Sequence, residues 1–366
     1  MFPAVDQDVQ CLLEPKWMRY AFCSPRGGGM EQRVEYLDWL RAVAVMVVMV
    51  GHASPSTAPG GAIGVSVFFV ISGYLICSIL LRDGMLTIPN VVRFWVRRVA
   101  RIYPMYVSQI AILWLWLYRD DADELILQMP GLLTFTSDFG VWFGYSVGVL
   151  WSLAVEFWFY ITFPALLYVA RKTGYPLAFF LILAVVSIAT RLNQTESLTL
   201  AYYHQFLIGV IIALLADDQK VPKFLASNIA FNSAVAGLAI CVAIPITARN
   251  LGGYFQGTYA ALATGALICC WLQRPPRASL PIVQGIGAIS YSAYLLHPII
   301  IDYVWKTKQH LPSHIPTFVA ITLGASLVTY FVIERPFIAL AHKCTPFSKP
   351  REQAVIMQGA NTPAAR

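Results

Sequence analysis

The chain has 366 residues, of which 58% are hydrophobic and only 12% charged. Soluble globular domains carry about 25% charged residues, so a soluble core is excluded and a polytopic membrane protein is the direct reading. The net charge of +7 does not call for nucleic acid, because short basic loops on the cytoplasmic face of a membrane protein produce the same excess.

The first 30 residues mix charges, prolines and glycines without the apolar stretch of a cleavable signal peptide. Residues 1–32 are therefore expected to be a poorly ordered extension, with Met30 as an alternative start. Residues 33–341 are expected to form one transmembrane domain, and residues 342–366 a cytoplasmic tail. The expected fold is all-α, a polytopic helical bundle with about ten transmembrane helices. They fall near 37–54, 61–81, 102–118, 149–169, 176–192, 200–216, 224–247, 254–272, 284–305 and 316–340. The first run, YLDWLRAVAVMVVMVGHAS (Tyr36–Ser54), carries Arg41 near its start and His52 near its end. Their 11-residue separation amounts to roughly 16 Å along a helix. Ionisable residues within a spanning helix are costly and point to function by default. Asp38, three residues before Arg41, shares its helix face and can pair with it.

After the second span comes an amphipathic basic stretch, VVRFWVRRVARIYP, followed by the third span. Arg98 and Arg101 share a face, and arginine forks match phosphate oxygens bidentately; the same arginines could instead anchor anionic lipid. Tyr103 and Tyr106 read as an interfacial belt. Residues 119–148 read as a long loop with an acidic cluster at Asp120, Asp121, Asp123 and Glu124. Glu156 lies in the first turns of the fourth span, at a depth from which it could orient His52. With the N-terminus inside, 20 of the 26 basic residues fall on the cytoplasmic side and five on the other, and Arg335 sits within the last helix. Both termini are therefore expected to be cytoplasmic, with Arg41 near the inner face and His52 near the outer.

Seven cysteines are scattered, and no pair has metal-ligand spacing. No metal is expected. The apolar surroundings of Cys77 disfavour a thiolate nucleophile. Ser152 lacks the glycines of a nucleophile elbow. His297 precedes Pro298 toward the outer end of the ninth span and reads more readily as a helix-end residue than as a second active-site group.

Six stretches occur in a recognisable order: Arg41 with His52, GVSVFFVISGYLI (64–76), FWVRRVARIYPMY (94–106), WSLAVEFWFY (151–160), GAISYSAYLLHP (287–298) and FVIERPF (331–337). In this order the chain resembles the acyltransferase 3 family of membrane acyltransferases, which includes bacterial exopolysaccharide and O-antigen O-acetyltransferases. Ser66 departs from the family, many members having aspartate there. The optional extracytoplasmic hydrolase-like domain is expected to be absent. The resemblance implies an inner-membrane O-acyltransferase that uses cytosolic acetyl-CoA. The acceptor it implies is a hydroxyl on a glycan or lipid-linked sugar. It assigns Arg41, Arg98 and Arg101 to the donor and raises the case for His52 as catalytic base. Glu156 is the candidate partner of His52. A neutral imidazole can take a hydroxyl proton near pH 7; transient acylation of His52 is the other route, and the sequence does not separate the two. The rival reading is a secondary transporter, which also carries intramembrane charge. Against it, no paired, interrupted repeat is visible. The acceptor sugar, acyl length and oligomeric state are not legible.

Overall fold

The computed structural model describes residues 35–54, 60–82, 85–116, 122–136, 148–192, 198–244, 251–274, 280–307 and 312–346. The N-terminal extension, Met30 and most of the C-terminal tail lie outside them. Within them the chain is all-helical. In order, α1 is Glu35–Ala53, α2 Gly61–Leu80, α3 Ile88–Trp116, α4 Ala122–Leu133, α5 Leu150–Lys172 and α6 Pro176–Leu192. They are followed by α7 (Leu198–Asp217), α8 (Asn228–Ala243), α9 (Leu251–Gln273), α10 (Pro281–Thr307), α11 (Ile315–Thr329) and α12 (Arg335–Cys344).

Six helical stretches are long and apolar enough to cross a membrane: Tyr36–Ala53, Gly61–Leu80, Leu150–Lys172, Thr199–Asp217, Phe255–Gln273 and the α11–α12 run Ile315–Cys344. The other four expected spans are also helical but fall outside that set. Helices α6 and α8 are apolar but shorter. Helices α3 and α10 are long, but their apolar runs are broken by the polar residues that build the site described below. Apolar side chains point outward, among them Ile182, Val185 and Val186 on α6 and Val328 and Val332 in the Ile315–Cys344 run. An exposed apolar face of this kind suits a lipid solvent.

Helix α2 is the hub. It packs against α1, α5, α7 and α9, and 72% of it is buried, against 17% for Ile315–Cys344. Small residues make the close approach possible. A Cβ on Gly73 would collide with the backbone carbonyl of Phe206 on α7, and one on Gly209 with the carbonyl of Val70. Phe69 then stacks on Phe206, with centroids 4.4 Å apart. Gly73→Val is expected to destabilise the bundle by about 1–3 kcal/mol or more, as overpacking does. A thermal-unfolding midpoint in detergent equal to that of the unmodified protein would contradict this close contact.

Two expectations change. Residues 119–148 do not read through as loop. Leu125, Ile126, Met129, Leu132 and Leu133 recur at helical spacing, and α4 forms there. After α4 the chain turns back into the bundle, and Phe135, at φ 56°, stacks on Phe157 with centroids 4.3 Å apart. Tyr106 is accordingly not part of an exposed belt, whereas Tyr103 stays partly exposed. Tyr106 is fully buried and donates to the Leu132 carbonyl at 2.9 Å, and Tyr103 donates to the Leu133 carbonyl at 3.3 Å. The basic stretch and the third expected span are one helix, α3. At the other end of the chain, Pro336 lacks an N–H and opposes the Val332 carbonyl four residues back. The helix widens to a π turn over Tyr330–Glu334 just before it, a feature frequent at functional sites.

Candidate active site

Helices α1, α2, α3, α5 and α10 line a partly open cavity of about 730 Å³, a volume that includes space open to solvent. Arg41, Arg98 and Arg101 line it together with Ser72, Ser152, Glu156, Tyr160, Ser290, Tyr291 and Tyr294. Residues that the sequence holds more than 100 positions apart thus face one space. Of the five candidate residues, four line this cavity. His52 is not among the lining residues.

The arginines are held by specific partners. Arg41 Nη1 donates to Asp38 Oδ1 at 2.9 Å, and Asp38 is only 2% exposed. Arg98 lies over the rings of Phe94 and Tyr160, at 5.5 and 5.8 Å from their centroids, an arrangement that suits a guanidinium. Arg101 is close enough for its charge to act on Arg41 and on Glu334. Glu334 is buried at the π turn and accepts from Ser292 Oγ at 2.9 Å. Arg97 points elsewhere. Its Nε and Nη2 donate to Thr345 Oγ1 and the Thr345 carbonyl at 3.1 and 2.6 Å, tying α3 to the end of α12.

Glu156 is not the partner of His52. Its Oε1 accepts from Ser72 Oγ at 2.6 Å and from the Tyr160 hydroxyl. Glu156 and Tyr160 are i, i+4 on α5 and share a face, and Ser72 comes across from α2. A carboxylate with two hydroxyl donors beside Arg98 belongs to the arginine part of the cavity.

Elsewhere in the wall, Ser152 Oγ and the Tyr294 hydroxyl lie 2.6 Å apart, and both reach the Val149 carbonyl, at 3.1 Å each. The Tyr294 ring is 5.7 Å from that of His297, and His297 is 5.0 Å from His52, centroid to centroid. His52 is exposed at the end of α1. Its Nδ1 is 2.9 Å from the Val48 carbonyl oxygen, which can only accept, so Nδ1 carries hydrogen and Nε2 of the neutral ring carries the lone pair. His52 thus connects to the cavity through His297 and Tyr294.

The sequence held a signal for what it missed. Ser290, Tyr294 and His297 follow one another at i+4 and i+3 in α10, which makes one polar stripe on an otherwise apolar helix. Cys77 is fully buried in apolar packing and Cys344 is exposed. Among the described residues no group of three or more His, Cys, Asp and Glu side chains gathers to hold a metal ion.

A family model described as an acyltransferase domain matches residues 34–334. The chain belongs to the acyltransferase 3 family. All the cavity-lining residues of this family member fall inside the matched span. Among its relatives is the O-acetyltransferase OatA of Staphylococcus aureus (strain NCTC 8325 / PS 47), 25% identical over 358 residues, covering 85% of this chain and 58% of the relative. A second relative, from Bacillus subtilis (strain 168), bears the name "Putative peptidoglycan O-acetyltransferase YrhL" and is 28% identical, covering 82% of this chain and 54% of its own. A third, "Putative O-acetyltransferase SACOL0978" of Staphylococcus aureus (strain COL), is 27% identical over 82% of this chain and 56% of its own. The chain spans about half the length of these curated relatives. No solved structure matches it.

Proposed function

We propose that the protein is an integral membrane O-acetyltransferase of the bacterial inner membrane, which moves acetyl from cytosolic acetyl-CoA to a glycan hydroxyl on the other side. The observation that carries this reading is the convergence of Arg41, Arg98, Arg101 and Glu156 on one cavity. Guanidinium forks suit the phosphates of coenzyme A. The remaining wall, apolar side chains interrupted by Ser and Tyr hydroxyls, suits a pantetheine arm with its amides. A thioester delivered along that arm would approach His52 by way of Tyr294 and His297. His52 Nε2 then takes the acceptor proton as general base, and the spacing of roughly 16 Å between Arg41 and His52 is comparable to the reach of the arm.

In this reading ten helices cross the membrane and both termini are cytoplasmic. Hydrogen bonds between helix ends support it. Arg171 Nη2 donates to the Leu81 carbonyl at 3.1 Å, Gln273 Nε2 to the Val221 carbonyl at 2.8 Å, and Arg97 to Thr345. Each link joins ends that ten crossings would bring to the same face, and each joins segments rich in basic residues. Residues 33–341 then form the transmembrane domain, with residues 1–32 and 342–366 as the extension and tail.

The acceptor is a bacterial envelope glycan. Exopolysaccharide or O-antigen is the reading from the family's motifs, and the name of the Bacillus relative favours peptidoglycan as the second. The test is ester analysis of each envelope glycan in cells with and without the gene. Loss of O-acetyl from one glycan, restored by the intact gene, is expected. Unchanged ester in every glycan, together with no saturable acetyl-CoA binding by the purified protein, would favour a transporter.

A further inference from the structure

Near the candidate base, one group has a buried lone pair that the fold does not use. His297 is fully buried in α10. Its Nδ1 is 2.7 Å from the Tyr294 carbonyl oxygen, so Nδ1 carries the hydrogen and Nε2 of the neutral ring carries the lone pair. That Nε2 is buried with no hydrogen-bond partner among the described residues. A buried acceptor left without a donor is costly and calls for a reason. The neighbouring ring is His52, at 5.0 Å and inclined by 59°. Both rings are anchored the same way, Nδ1 to a carbonyl of their own helix, so neither Nε2 is committed to the backbone.

We propose that His297 is a positioning residue for acyl transfer, receiving at Nε2 the hydrogen bond of the imidazolium that His52 becomes. The proposal rests on the reading of His52 as general base. In the step, the acceptor hydroxyl gives its proton to His52 Nε2 while its oxygen bonds to the thioester carbonyl carbon. The C–S bond breaks with its electron pair on sulfur. As the oxygen becomes an ester, a poorer acceptor, the Nε2–H of His52 stays on His52 and turns its hydrogen bond to His297 Nε2. His52 then returns the proton to water and the thiolate takes one up, so hydroxyl and thioester become ester and thiol. Holding the imidazolium through this step acts on turnover and leaves donor binding alone, because the arginines line the cavity and the two histidines do not.

Three variants separate this role from packing. His297→Gln returns an acceptor near the place of Nε2, His297→Asn puts one near Nδ1, and His297→Phe keeps a ring with no acceptor. In purified protein in lipid nanodiscs, kcat is expected to fall about tenfold or more in the Asn and Phe variants. KM for acetyl-CoA should stay unchanged, and the Gln variant should recover most of the rate. A Phe variant as active as the unmodified enzyme, or a Gln variant no better than Asn, would overturn the proposal. A second readout needs no turnover. Carbethoxylation of His52 by diethyl pyrocarbonate, followed by mass spectrometry, is expected to quicken several-fold in the Phe variant and little in the Gln variant. Equal rates in all three proteins would overturn the proposal on its own, whereas full activity of His52→Ala would remove the reading beneath it.

Discussion

His52→Ala is expected to lower acetyl transfer by roughly 10²- to 10⁴-fold, the usual contribution of a positioned general base. The protein should still insert and fold. His52 is exposed at the last turn of α1, and its hydrogen bond goes to a carbonyl of its own helix. Its removal opens no gap among the large side chains packed around Phe69, Phe159 and Phe206. Donor binding should be unchanged, since the arginine part of the cavity is untouched. The two readouts are ester formed per enzyme in nanodiscs and the thermal-unfolding midpoint. Full activity with an unchanged midpoint would sink the assignment of His52. An accumulating acetyl adduct on the histidine of the unmodified enzyme would instead select the covalent route.

The second large effect concerns the donor. Loss of a hydrogen bond to a charged group costs about 1.5–3 kcal/mol, which is roughly a 10- to 100-fold loss of affinity. Arg98→Ala and Arg101→Ala are each expected to weaken acetyl-CoA binding by that amount. Stability complicates the alanine variant at position 101, because the Arg101 charge acts on buried Glu334 and truncating one of two interacting buried charges is destabilising. Arg101→Lys avoids this. It keeps the charge and gives up the fork, so it is expected to fold normally and still bind about tenfold more weakly. Equilibrium binding of labelled acetyl-CoA, with unlabelled coenzyme A as competitor, measures both. Unweakened binding in Arg98→Ala and Arg101→Lys would remove these arginines from the donor site.

Much of the arrangement was legible in the chain. Apolar runs of helical length set apart by charge, proline and glycine gave the bundle, and the motif order gave the family. Helix α4 escaped because its apolar residues lie in a stretch of only 12 residues, whose start falls in the acidic cluster that read as loop. The site was legible in its residues and not in its pairings. Arg41 and Asp38 are three positions apart on one helix, so their ion pair could be read directly. Glu156 and Ser72 are 84 positions apart, and no periodicity within α5 tells which helix faces it. Equal depth in the membrane made His52 a plausible partner for Glu156, but depth does not fix rotation about the helix axis. The packing of α2 against α5 turns Ser72 toward Glu156, and the packing of α10 against α1 turns His297 toward His52.

In the proposed function, one polypeptide carries an acetyl group from a donor on one side of the membrane to a hydroxyl on the other. Proteoliposomes of the purified protein, loaded with labelled acetyl-CoA and bathed in envelope glycan fragments, test it most directly. Alkali-labile label is expected on the external glycan, lost in His52→Ala and reduced in Arg101→Lys. Label that stays inside as acetyl-CoA, or appears outside as free acetate at the same rate with and without His52, would contradict it.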